Sequence, residues 1–195
     1  MPVVFNRKLQ RGEAPSVQFK RPELSLFTAC FPAGSIRPRS SILLPKPTLR
    51  HVADFDIDLD PISEMGNGRA GKRRIIPIVG GRIIGPEFSG EILNVGADWQ
   101  TIFSSGVTEL DTRYAFLTHD GAVIEIINFG YRHGPEDVMR LVAAGDDVDP
   151  SNYYMRTHAR LETGHPKYEW VNRTLFLGVG GRLKSNVRLS LYAID

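Results

Sequence analysis

A single cysteine in 195 residues, Cys30, excludes an internal disulfide framework, so packing and hydrogen bonds must hold the fold. Flanked by Ala29 and Phe31, and with no histidine beside it in sequence, Cys30 reads as a small buried apolar residue rather than a nucleophile. Charge excess is missing as well: 24 Lys+Arg against 22 Asp+Glu leave a formal +2, too little for a field that gathers nucleic acid. No apolar run approaches the roughly 18 residues that span a bilayer, and the opening Met1-Pro2-Val3-Val4-Phe5 has no secretory core. The expectation is a cytoplasmic protein with neither a membrane nor nucleic acid as its partner.

What is present is a hydrophobic fraction of 42%, enough for a substantial core, and the simplest partition is one domain preceded by an arm. Residues 1–47 carry repeated prolines beside basic residues, as in Lys20-Arg21-Pro22 and Pro45-Lys46-Pro47. Proline removes backbone donors and fixes φ, which predicts an extended arm packed on the body or on a neighbouring subunit through Phe19, Leu24, Phe27, Phe31, Leu43 and Leu44. Residues 48–195 form the predicted domain. From Thr48 to Asp60 the chain alternates, with Leu49, His51, Ala53, Phe55 and Ile57 on one side and Asp54, Asp56 and Asp58 on the other, the pattern of a strand with one wet face.

Gly66-Asn67-Gly68-Arg69-Ala70-Gly71 matches the dinucleotide-binding fingerprint literally, but no helix pattern follows it, so it reads as a flexible loop. Glycine clusters then punctuate apolar runs from Arg73 to Tyr114, which predicts a meander. His119-Asp120-Gly121 marks a hairpin, and Pro135–Gly145 is the one helix pattern, with proline at its start, acids in its first turn and glycine at its end. Three further strands are expected at Tyr153–Glu162, Glu169–Val179 and Val187–Ile194. The sum is a mainly β protein of about eight strands and one short helix, either a closed antiparallel barrel or a two-sheet sandwich.

In a strand, Glu109, Asp111 and Arg113 share one face, and Leu110, Thr112, Tyr114 and Phe116 share the other. The charged face is either a solvated exterior or the wall of a cavity, and the pattern alone leaves both open. Glu162 shares a face with Tyr154, Arg156 and His158, again a wet stripe or a catalytic wall. Asp98, beside Trp99 and just after Gly96, is either a turn cap or part of a pocket mouth.

The ordered succession Arg74-Ile75-Ile76-Pro77-Ile78-Val79-Gly80-Gly81, Gly85-Pro86, Gly96-Ala97-Asp98-Trp99-Gln100, Leu110-Asp111-Thr112-Arg113-Tyr114, Asp120-Gly121-Ala122-Val123-Ile124, Tyr154-Met155-Arg156, Leu161-Glu162-Thr163 and Tyr168-Glu169-Trp170-Val171-Asn172-Arg173 resembles the domain-of-unknown-function family numbered 3237. The resemblance covers roughly residues 50 to 195 and implies an antiparallel β-barrel around a small-molecule pocket. Some members of that family look like cofactor-free lyases that release formaldehyde from lignin-derived aromatic dimers.

Such chemistry needs a base, an oxyanion partner and a slot for rings. The candidate catalytic residues are Asp98, Asp111, Arg113, Glu162 and Tyr154, and the candidate substrate contacts are Trp99, Tyr114, Arg156, Tyr168, Trp170 and His51. No cofactor is expected, and the five histidines show no ligand spacing that points to a metal. Two readings compete: a cofactor-independent lyase or isomerase of a small aromatic molecule, and a non-catalytic carrier of hydrophobic ligands. In either case the arm favours a homo-oligomer.

Overall fold

A computed structural model describes residues 43–195, and the segment from Pro45 to Asp195 forms one compact unit. The expected arm, with Cys30 in it, lies almost entirely outside the described residues.

The unit is a closed antiparallel β-barrel. Its strands are β1 (Leu49–Leu59), β2 (Ser63–Asn67), β3 (Lys72–Ile84), β4 (Gly90–Ile92), β5 (Gly96–Ile102), β6 (Thr108–Thr118), β7 (Val123–His133), β8 (Tyr154–Glu162), β9 (Phe176–Arg182) and β10 (Asn186–Ile194). Going round the wall, β1 pairs β10, β10 pairs β9, and the ladder continues through β8 and β7 to β6. The short strands β4 and β5 both bridge β6 to β3, one near each end, so together they make a single interrupted stave. Pairing of β3 with β1 closes the ring at eight staves. Closure leaves no free sheet edge in the wall, and β2 only extends the β3 hairpin beyond it. The start and the end of the barrel are tied together where the Thr48 and Asp195 backbones exchange hydrogen bonds of 2.9 and 3.0 Å.

Alternation decides what fills the barrel. On β6 the even residues Leu110, Tyr114 and Phe116 are buried while Asp111 and Arg113 face solvent; on β8 Met155, Thr157, Ala159 and Leu161 point in and Tyr154, Arg156, His158 and Glu162 point out. Two bulges shift this parity. One on β1 between His51 and Ala53 turns Val52 and Ala53 both inward and leaves His51 at the surface, contrary to the simple alternation of the sequence. The other, on β3 opposite Asp58 and Leu59, precedes Gly81, whose φ of 130° and approach to the Asp56 carbonyl leave no room for a side chain.

One end of the interior is a dry plug. Phe55, Phe88, Phe116 and Tyr168 pack ring against ring with centroids 5.3–6.4 Å apart, surrounded by Val52, Ile83, Ile124, Leu161, Phe176 and Leu191. The other end is covered by α1 (Glu136–Ala144), which with Val148 packs Val138, Met139 and Val142 on Leu110, Tyr153 and Met155. Gly145 ends α1 in the left-handed conformation the sequence anticipates.

Two expectations change. Residues 169–173 are not strand: a 3₁₀ helix runs Pro166–Arg173, started by proline and burying Tyr168 and Val171 at a spacing of three, so β9 begins only at Phe176. Asn172, which heads an Asn-Arg-Thr triplet, clasps this helix to β8 by reciprocal bonds of 2.9 Å with the Thr163 backbone. The fingerprint-like glycine segment is a hairpin rather than a loose loop, with Gly66 and Asn67 in β2 and the Gly68 N–H donating to the Gly71 carbonyl at 2.8 Å.

Candidate functional site

Between the plug and α1 the barrel interior turns polar. A narrow cavity of about 40 Å³ is walled by Ile57, Leu59, Ile76, Ile78, Leu110, Met155, Val187 and Leu189, and into it point Asp98, Gln100, Thr112, Tyr114, Asn128, Arg132, Thr157 and Arg182. That volume admits a water or two or the end of a larger molecule, not an aromatic dimer. Each polar side chain arrives by strand alternation at a position that would otherwise carry an apolar residue.

Asp98 sits on β5, is partly buried and lines the cavity. Its carboxylate accepts from Gln100 Nε2 and, at 3.2 Å, from the Asp111 N–H. Gln100 Oε1 in turn accepts from Arg74 Nε at 2.8 Å, so a guanidinium, an amide and a carboxyl form one chain across β3 and β5. Burial pushes the Asp98 carboxyl above the usual carboxylate range, and this outweighs the opposing pull of Gln100, Thr112 and Arg132. Arg132, 5% exposed, is lowered to about 10 by the same desolvation and by the neighbouring Arg74 and Arg182. Both Arg74 and Arg182 are lowered by burial as well. Tyr114, fully enclosed, is raised by burial alone.

Four buried polar atoms have no hydrogen-bond partner here: Tyr114 OH, Asn128 Oδ1, Arg132 Nε and Thr157 Oγ1. All four belong to residues lining this one cavity. Unpartnered buried polar atoms are costly, about 1–3 kcal/mol each, and their convergence marks a place built to receive polar atoms from elsewhere.

The candidates taken from the sequence are dispersed by the fold. Asp98 and Tyr114 face the cavity. Asp111 and Arg113 lie on the outer wall, where Arg113 pairs with Glu125 at 2.6 Å and not with Asp111. Glu162 is exposed in an open exterior groove of about 890 Å³ beside Arg160 and Arg173, where charges stay solvated. Tyr154 stacks outside on His133 at 4.8 Å, with Arg156 over its ring at 5.4 Å. Trp99 is on the exterior, and His51 packs edge-on against Tyr192 while meeting Asp54 at 3.2 Å. Trp170 lies against Phe176 with Arg50 over it, and Tyr168 belongs to the plug, its hydroxyl donating to Asp120. Gln100, Asn128, Arg132, Thr157 and Arg182 carry the cavity without having been singled out. Their signal was there: on β7, Asn128 and Arg132 continue the parity of Ile124 and Ile126. Among the described residues no cluster of three or more His, Cys, Asp or Glu side chains converges as a metal site, and no helix is long and apolar enough to cross a membrane.

These features define a closed β-barrel with a shielded polar pocket at one end. The family described as "Protein of unknown function (DUF3237)" matches residues 47–194, and the chain belongs to it. A UPF0311 protein of Rhodopseudomonas palustris is 39% identical over 150 residues, covering 76% of this chain and 98% of the relative; one from Clostridium acetobutylicum is 41% identical over 64% of this chain and 79% of its own length. Among solved structures, a beta-barrel like protein from Acinetobacter baumannii shares 44% identity at a TM-score of 0.70, covering 79% of this chain and 99% of that one. A structure described as an enzyme from Penicillium herquei has 21% identity and a TM-score of 0.60 over 78% of this chain and 98% of its own, a likeness of fold.

Proposed function

We propose that this protein is a cofactor-independent enzyme, a lyase or isomerase acting by acid–base chemistry on a small aromatic or phenolic molecule. The observation that carries the reading is the convergence of the shielded Asp98 carboxyl with Arg132 and three other unpartnered polar atoms on one cavity. A carboxyl whose pKa is lifted by burial is a stronger base than an ordinary carboxylate and returns the proton as an acid, and a fixed guanidinium in a dry site stabilises a developing oxyanion.

For aldehyde-releasing cleavage, Asp98 takes the proton of a β-hydroxyl. The C–C bond breaks to give the aldehyde, and its electron pair moves onto a conjugated oxygen held by Arg132. The proton then returns from Asp98 to the carbon left behind. For isomerisation the same two groups move a proton from one carbon to another. The cavity volume restricts entry to the reacting end of the substrate, and the rings would rest at its rim beside Leu59 and Val187.

The test is incubation of the full chain with a panel of hydroxymethyl-bearing aromatic compounds, followed by formaldehyde detection and mass spectrometry. Turnover that falls at least a hundredfold in Asp98→Asn supports the reading, and undiminished turnover in that variant ends it. The apolar half of the lining favours a second reading, a carrier of apolar ligands, for which a ligand of unchanged mass would co-purify. A cytoplasmic setting and self-association through the N-terminal arm accompany the proposal; light scattering tests the latter, and monomer alone at micromolar concentration would remove it.

A further inference from the structure

The polar end of the barrel holds more positive than negative charge. Arg132 is buried at 5% exposure, with Arg74 and Arg182 near enough to depress its basicity, and Asp98 is the carboxyl that opposes them. Glu64, the other acid that Arg74 feels, is already engaged by Lys72 at 3.1 Å. Among the described residues none of the three arginines has an acidic side chain within ion-pair distance, whereas Arg50, Arg82, Arg113 and Arg188 on the exterior all do. Desolvated guanidiniums without anions are expensive, and one carboxyl, Asp98, stands against three of them.

We propose that this surplus is a binding site for the carboxylate of a small-molecule substrate, with Arg132 and Arg182 as its anchors and Asn128 and Thr157 as flanking hydrogen-bonding groups. Asn128, turned about its amide, and the Thr157 hydroxyl each offer a donor, and Arg132 Nε is itself unspent. The planar guanidinium fork matches a carboxylate, and a narrow cavity of about 40 Å³ suits a small, planar end group. The inference deepens the acid–base reading of the same cavity: the carboxylate would fix the substrate so that its reacting carbon meets Asp98.

The experiment is thermal denaturation and calorimetric titration of the full chain with acetate and benzoate, against their neutral isosteres acetamide and benzamide, and with inorganic phosphate. The carboxylates should raise Tm saturably and the amides should not. Arg132→Gln and Arg182→Gln should each weaken benzoate at least tenfold. Arg182 is only half-buried, so its variant keeps the test decisive if Arg132→Gln does not fold.

Amides that bind as well as carboxylates, phosphate that binds better than either, absence of carboxylate binding, or an Arg182→Gln protein that binds benzoate like the wild type would each overturn the inference. The two readings fail separately. Carboxylate binding that persists in Asp98→Asn while turnover is lost supports both. Carboxylate binding without turnover of any panel compound removes only the enzyme, and turnover of neutral compounds without carboxylate binding removes only the anion site.

Discussion

Around Asp120, at one end of β6, the carboxylate is met by Thr118 at 2.6 Å, Lys167 at 2.5 Å and Tyr168 at 2.9 and 3.0 Å. Around Asp98, toward the other end of the same strand, four polar atoms point into one cavity with no partner. The first carboxyl is held below the ordinary range by its hydrogen bonds, led by Lys167, and the second is pushed above it by burial. One fold thus treats two aspartates in opposite ways. The saturated end belongs to the aromatic plug that stabilises the barrel, and the unsaturated end leaves four buried polar atoms unpaired around a cavity, at a cost in stability.

Changes at the two ends should therefore separate stability from activity. Asp98→Asn carries the largest expected functional effect, at least a hundredfold loss of turnover, with a folded protein at least as stable as the wild type at neutral pH. The sign follows from its raised pKa. Such a group adds stability below the carboxylate's unfolded pKa of about 3.9 and loses that contribution as pH rises through the folded value. The melting temperature of Asp98→Asn minus that of wild type should therefore increase as the pH rises above about 4, and a difference that falls with rising pH would contradict the assignment.

Phe116→Ala, in the plug, should do the reverse. Removing a fully buried ring costs about 3–5 kcal/mol in urea unfolding, while the protein that remains folded keeps its turnover. A selective loss of turnover in that variant would erase the distinction between the two ends.

Asp120→Asn should lower the melting temperature at neutral pH by a smaller amount. Because its pKa is depressed, the stability Asp120 supplies is present above the ordinary carboxylate range and lost on acidification, so variant and wild type should converge as pH falls below about 4. The smallest effect belongs to Arg113→Ala. Its exposed pair with Glu125 is worth about 0–1 kcal/mol, and turnover should be unaffected. A large loss of activity there would move the site to the outer wall.

The barrel was legible in the sequence because its strands announce themselves twice, by alternation and by glycine punctuation, and because α1 carries both of its end signals. What periodicity could not supply was the hand of each bulge. His51 was assigned to the inner face by an alternation that one extra residue reverses. Glu169–Val179 is expected as one strand from the sequence, but Pro166 and the three-residue spacing of Tyr168 and Val171 make a 3₁₀ helix of its first part.

The site was less legible for a different reason. Charged clusters such as Asp111 with Arg113, or Arg156 with Glu162, attract notice, yet on both strands the apolar residues hold the opposite parity, and that places these charges outside. The informative residues were isolated polar ones standing in line with aliphatics: Thr112 after Leu110, Asn128 and Arg132 after Ile126, and Thr157 after Met155. A lone polar residue at an apolar position is a stronger pointer to a pocket than a rich polar cluster on the wet face.

The most direct measurement is a carbon-detected NMR titration of the aspartate carboxyls, with Asp98→Asn and Asp120→Asn used to assign the two resonances. The Asp98 carboxyl should titrate above the ordinary aspartate value of about 3.9 and the Asp120 carboxyl below it, in the same sample. An Asp98 that titrates at or below that value would mean that its carboxyl is solvated or satisfied, and the cavity would then hold no acid–base centre.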